Sequence, residues 1–98
     1  MSRRYLLIQI YSRQPVTREQ FTEALTTAIL KHFGDVGLSR IEPKLIRFDS
    51  HESKAVVAYA KNCADEMQAA LALISEIGES EASALSMKAS GTIKGLKS

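Results

Sequence analysis

Apolar and polar positions alternate along this chain with two different periods, and the places where the period changes mark its elements. Arg3 to Tyr11 (Arg-Arg-Tyr-Leu-Leu-Ile-Gln-Ile-Tyr) is aromatic and β-branched and too short between its flanks for a helix, which predicts a strand. Ser12 to Pro15 connects it to a helix. Thr17 opens that helix, and Gln20 three residues on completes a capping box, reaching back to the Thr17 amide. Phe21, Ala24, Leu25, Ala28, Ile29 and Phe33 then fall on one i, i+3, i+4, i+7 stripe, and Gly34 is the expected stop. Asp35 to Glu42 reads as a loop. Lys44 to Asp49 and Lys54 to Ala60 read as two strands of a hairpin across the polar turn Ser50 to Ser53. Asn62 is the expected cap of a second helix, with Asp65 and Glu66 favourably placed against the macrodipole of its first turn. Met67, Ala70, Leu71, Ile74 and Ile77 form its apolar stripe and Gly78 ends it. Glu81 to Ser90 reads as the last strand, followed by a basic tail from Gly91 to Ser98.

The order β-α-β-β-α-β predicts an α+β fold, a ferredoxin-like sandwich. Two helices pack on one face of a four-stranded antiparallel sheet, in spatial order 4-1-3-2. Leu6, Ile8 and Ile10 then point to the helices, and Tyr5, Leu7, Gln9 and Tyr11 occupy the opposite face. An apolar face left open in this way marks a partner contact, unless the chain's own loops or tail cover it. Tyr5, Leu7 and Tyr11 are therefore the candidate partner-binding residues.

Ninety-eight residues, 45% of them hydrophobic and 24% charged, predict one folded domain spanning 1–98 rather than a disordered chain. A domain of this size buries only about 60–65% of the surface its unfolded chain exposes, so partners matter to it. No apolar run approaches a membrane span, and Gln9 interrupts the short stretch after Arg3 and Arg4, so neither membrane insertion nor a signal peptide is expected. The lone Cys63 makes a reducing, cytoplasmic setting the simplest one. Charge changes the picture more. Residues 1–18 carry Arg3, Arg4, Arg13 and Arg18 with no acid, a charge of +4, and residues 86–98 carry Lys88, Lys94 and Lys97 with no acid, +3. The six bases and eleven acids between them give −5. In the expected topology the last strand runs antiparallel beside the first, which brings the two basic ends together. Arg3, Arg4, Lys88, Lys94 and Lys97 become one patch suited to the backbone of a nucleic acid.

Catalytic constellations are missing. Nucleophilic catalysis needs a Ser, Thr or Cys within reach of a base, and the two histidines, His32 and His51, fall near a helix end and in a turn. Cys63 at a helix start reads as a small buried residue rather than an activated thiol. Asp49, His51 and Glu52 in one turn read as turn chemistry rather than metal ligands. Ser12-Arg13-Gln14-Pro15 stands where a phosphate-cradling glycine motif, or the glycine- and arginine-rich segment of the acylphosphatases, would stand. The third strand carries Tyr59 as its one aromatic, which argues against base stacking of the RNA recognition motif kind. No catalytic residue, metal site or bound cofactor is assigned.

The carboxyl end is more specific. Ser90-Gly91-Thr92-Ile93-Lys94, followed by Leu96-Lys97, resembles the terminal signature of the archaeal ribonuclease P protein component 2 family, the counterpart of a small eukaryotic subunit shared by ribonuclease P and ribonuclease MRP. Phe33-Gly34-Asp35-Val36-Gly37-Leu38-Ser39 is similar to the segment after that family's first long helix. Ala69 to Ile74 is similar to its second-helix core, and Arg3-Arg4-Tyr5-Leu6 to its start. The third strand departs from the family in lacking an arginine often found there.

The resemblance implies a subunit of the ribonucleoprotein that removes the 5′ leader from precursor tRNA. The ribonuclease P RNA with magnesium would do the chemistry, and this chain would support the RNA's active fold together with protein component 3. The residues by themselves also admit a ligand-binding regulatory domain that forms a homodimer through its sheet.

Overall fold

The computed structural model describes residues 2–96. Strand β1 (Arg3–Ser12) forms where its alternation predicts, with Leu6 and Ile8 fully buried and Ile10 nearly so. Helix α1 (Arg18–Ile41) opens on the predicted capping box. The Gln20 amide donates to Thr17 Oγ1 at 3.1 Å, and the Thr17 amide donates to Gln20 Oε1 at 3.0 Å. Two of the four orphan amides of the first turn are satisfied this way, and Phe21, Leu25, Ala28 and Ile29 are laid onto the sheet.

Gly34 stops the first helical run, as predicted, and a second begins directly after it, so that Gly34 is also a kink. Its φ of 70° with ψ of −171° lies in a region that residues with a Cβ enter only under strain. Helical turns then resume as far as Ile41, so Asp35 to Ile41 is helical rather than the expected loop. The reason is packing. Past the kink Ile41 is buried and Leu38 lies against the core, which a polar loop would not achieve. Glu42 closes the segment in a left-handed conformation, its amide donating to the Leu38 carbonyl at 3.0 Å.

Strands β2 (Lys44–Asp49) and β3 (Lys54–Ala60) form the predicted hairpin. At its tip Asp49 Oδ1 accepts the amides of His51 and Glu52, each at 3.0 Å, so this carboxylate closes a turn. A 3₁₀ turn over Lys61–Cys63 leads into helix α2 (Ala64–Ala72). Asn62 lies inside that turn and not at the cap expected of it; the cap is the buried Cys63, which makes no side-chain capping bond.

Helix α2 stops two residues before Ile74, and Ile77 belongs to a two-residue strand, β4 (Glu76–Ile77). Gly78, at φ 66°, turns the chain so that β4 pairs with β5 (Ser80–Ser90). Ile74 and Ile77 are buried nonetheless, now from a hairpin rather than a helix. The sheet thus has five antiparallel strands, where four are expected from the sequence, in the order β2-β3-β1-β5-β4. Both helices cover one face. Phe21 of α1 packs on Phe48 of β2 with ring centroids 6.2 Å apart, and Met67, Ala70 and Leu71 of α2 close the other half of the core. After β5 the chain makes one more 3₁₀ turn, Lys94–Leu96, which lies against β1 and β5.

Candidate nucleic-acid interface

The uncovered face of the sheet is built from cross-strand rows, because residues paired in an antiparallel register project to the same side. One row reads Lys44, Ala58, Tyr5, Ser90 across β2, β3, β1 and β5; the next reads Arg47, Val56, Leu7, Lys88; a third reads Asp49, Lys54, Gln9, Leu85. In the first two rows Lys44 and Arg47 stand on the edge strand and Lys88 on β5, with apolar residues between, whereas the third has Asp49 on the edge and Lys54 one strand in. Lys44, Arg47, Lys54 and Lys88 against Asp49 leave these rows with a net charge of +3.

A bulge in β2 is responsible for one of them. The register shifts between Leu45 and Arg47, so that Arg47 and not Ile46 stands opposite Val56. Without the extra residue Arg47 would oppose Ala55 and point into the core. With it, Arg47 is exposed on the open face, and Phe48 instead reaches Phe21 beneath the helices. On the strand's outer edge the Arg18 guanidinium donates to the Leu45 carbonyl at 3.2 Å, occupying a backbone acceptor that would otherwise invite another strand.

The apolar middle of the face is partly closed by the chain's own end. Leu96 is buried, yet it lies outside the core beneath the helices. A side chain at Gly95 would collide with the Ser90 hydroxyl, which shares a row with Tyr5. The last turn therefore folds back over the open face. Val56 and Ala58 are buried on that side, and Tyr5 and Leu7 are half-buried. Tyr11 lies beyond this cover and is 55% exposed, beside Leu85 at 56% and Met87 at 51%.

The residues expected to form the basic patch are not all brought to this face. Arg3 and Arg4 are neighbours on β1 and project to opposite sides, Arg4 opposite Tyr59 of the core and Arg3 opposite Ala60. Both line a recess of about 400 Å³ at the start of β1 together with Ser2, Tyr5, Lys61 and Gly91. The Arg3 guanidinium donates to the Glu42 carbonyl at 2.7 Å, which ties it to the end of α1. Lys88 stands on the open face opposite Leu7, and Lys94 is exposed on the closing turn. Lys97 lies outside the described residues. Sequence reasoning missed Lys44, Arg47, Lys54 and Lys61. All four belong to the stretch whose net charge is acidic, and the bulge that turns Arg47 outward leaves no local signal in Lys-Leu-Ile-Arg-Phe-Asp.

Elsewhere the chemistry is structural. His32 packs edge-on to Phe33 with centroids 4.9 Å apart. The Cys63 thiol is buried, 3.7 Å from the Arg40 carbonyl. Among the described residues no helix is long and apolar enough to cross a membrane.

Residues 4–98 match the model of the Rpp14/Pop5 family. The chain belongs to that family. Ribonuclease P protein component 2 of Thermococcus gammatolerans is 32% identical over 94 residues, covering 96% of this chain and 78% of that protein. The proteins of the same name from Thermococcus kodakarensis and Aeropyrum pernix are each 30% identical, covering 96% and 95% of this chain and 78% and 77% of their own lengths. A chain in the cryo-EM structure of yeast ribonuclease MRP superposes with a TM-score of 0.80 over 99% of this chain and 79% of its own, at 14% identity, which is a likeness of fold. The family resemblance read in the sequence, from Arg3-Arg4-Tyr5-Leu6 to the carboxyl end, is thus the correct one, and the Rpp14/Pop5 match covers nearly the same stretch.

Proposed function

We infer that this chain is a protein subunit of ribonuclease P, of the archaeal component 2 type, and is not itself catalytic. The observation that carries the reading is the match to relatives of that name along nearly the whole chain. The geometry is in keeping with it: the sheet presents cations around an apolar strip, and the histidines and the cysteine are engaged in packing and turns. In this reading the ribonuclease P RNA, with magnesium bound to it, cleaves the 5′ leader from precursor tRNA, and the chain itself holds no metal or cofactor. Its role is to support the folded RNA from the basic margins of the sheet, including Arg3, Arg4, Lys88, Lys94 and Lys97. Component 3 is the proposed protein partner, meeting the exposed apolar corner around Tyr11 and the half-buried Tyr5 and Leu7, and the cytoplasm is the proposed compartment. The β2-β3-β1-β5 portion of the sheet has the strand order of a ferredoxin-like sandwich, and β4 is an addition at its edge.

The relatives lend no support to a ligand-binding regulatory domain that dimerises through its sheet. Purification separates the two readings. The chain expressed with its ribonuclease P RNA should carry that RNA through a salt-washed affinity step. An RNA-free dimer whose stability responds to a small metabolite would sink the subunit reading.

A further inference from the structure

We propose that the β2–β3 margin of the open face, Lys44, Arg47 and Lys54, is a binding site for the sugar–phosphate backbone of RNA, one that acts by charge and spacing rather than by reading bases. The proposal rests on the ribonuclease P reading and names a surface within it.

Three observations carry it. The first is spacing. Lys44 and Arg47 are two register positions apart on β2, and Lys54 is two positions beyond Arg47 on the neighbouring strand. At about 3.3 Å per residue along a strand and about 4.8 Å between strands, successive cations stand about 7–8 Å apart. They form a line that starts on the edge strand at Lys44 and Arg47 and ends one strand in at Lys54, with Asp49 beside it, and one run of backbone can follow it. The second is availability. Among the described residues, Lys44, Arg47 and Lys54 enter no ion pair, in contrast to Arg40, which faces Glu66 at 3.4 Å. Asp49, the carboxylate in this line, has its Oδ1 taken by two backbone amides of the turn. The third is the bulge, which costs the edge strand a ladder position and places a charged arginine on the open side.

Base stacking is a poor fit to the same face. Tyr5 is half-buried under the returning tail, and the strip between the margins holds Val56, Ala58 and Leu7, with no exposed ring until Tyr11 at its far corner. Backbone contacts carry no sequence information directly, so the site should tolerate any RNA of the right shape.

The test compares the full chain with the triple variant Lys44→Ala, Arg47→Ala, Lys54→Ala, binding an in vitro transcribed archaeal ribonuclease P RNA over a salt series. Three backbone contacts at about 0.7–0.9 each should lower the salt slope by about 2–3. Between 50 and 200 mM salt the unaltered chain should then lose about 20–40 times more affinity than the variant. Binding to a scrambled RNA of equal length should change alike. A helix-side control, Lys31→Ala, Arg40→Ala, should leave the slope in place; if it moves the slope in proportion to its charge, net charge and not this margin is responsible. Should the triple variant fail to fold, acetylation of the unaltered chain gives the same answer, since RNA should protect Lys44 and Lys54. An unchanged slope, or protection that appears with component 3 but not with RNA, would overturn the proposal and assign the margin to a protein. Failure of the unaltered chain to bind any RNA would overturn the ribonuclease P reading itself, which keeps the two failures distinct.

Discussion

Replacing Gly34 by alanine sets two effects of similar size against each other. Alanine favours a helix over glycine by about 1 kcal/mol, so a chain free to straighten residues 18–41 into one rod would gain stability. The structure predicts the opposite sign. Gly34 sits at φ 70°, ψ −171°, where a residue with a Cβ costs about 1–3 kcal/mol. Straightening instead would swing Leu38 and Ile41 off the core, and exposing an isoleucine alone costs about 1.5–3 kcal/mol. Neither route recovers the propensity gain. Gly34→Ala should therefore lose about 1–3 kcal/mol in urea unfolding followed by circular dichroism, with an unchanged slope on denaturant. For a chain of this length that lowers Tm by at least about 4 °C. Gly91→Ala is the control: it also has open space around it but no left-handed φ, and should stay within about 0.5 kcal/mol of the parent. The consequence reaches the surface, since the segment past the kink carries Arg40, paired with Glu66, and the Glu42 carbonyl that holds Arg3. Gly34→Ala of equal or greater stability would refute the packing argument.

Two further outcomes follow from the open face. Leu96→Ala removes the buried anchor of the last turn, worth about 1.5–3 kcal/mol when fully buried, so trypsin should cut after Lys94 faster while β1 to β5 stay folded; an unaltered cleavage rate would mean the turn is held by something else. Tyr11→Glu should leave the monomer within about 0.5 kcal/mol of the parent, because that ring is already 55% exposed, yet weaken association with component 3 by about 2 kcal/mol or more, roughly thirtyfold, in titration calorimetry. Loss of the monomer's fold with Tyr11→Glu would show that the ring belongs to the core.

What was legible in the sequence is what local physics decides. The alternation of Leu6, Ile8 and Ile10, the Thr17–Gln20 capping box and the polar turn between β2 and β3 each depend on neighbours a few residues away, and each appears as read. The rest was set by distant partners. Gly34 stops a helical run as its local signature says, but a second run replaces the expected loop because Leu38 and Ile41 have a core to reach. Ile77 keeps helical spacing with Ile74 and is buried from a hairpin instead, because Gly78 can turn the chain against β5. Asn62 is a good cap residue that a 3₁₀ turn displaces from the cap. For the site, counting charge by segment found the basic ends but hid Lys44, Arg47 and Lys54 among the acids of the middle stretch, of which Asp49 shares their face. Their alignment exists only once the hairpin register and its bulge are known.

The most direct measurement is cleavage of precursor tRNA by a ribonuclease P reconstituted from its RNA, magnesium and protein components, with and without this chain. Omission should slow removal of the 5′ leader at fixed magnesium, addition of the full chain should restore it, and the chain without the RNA should cleave nothing. A reconstituted enzyme indifferent to this chain, or cleavage by the chain alone, would contradict the account.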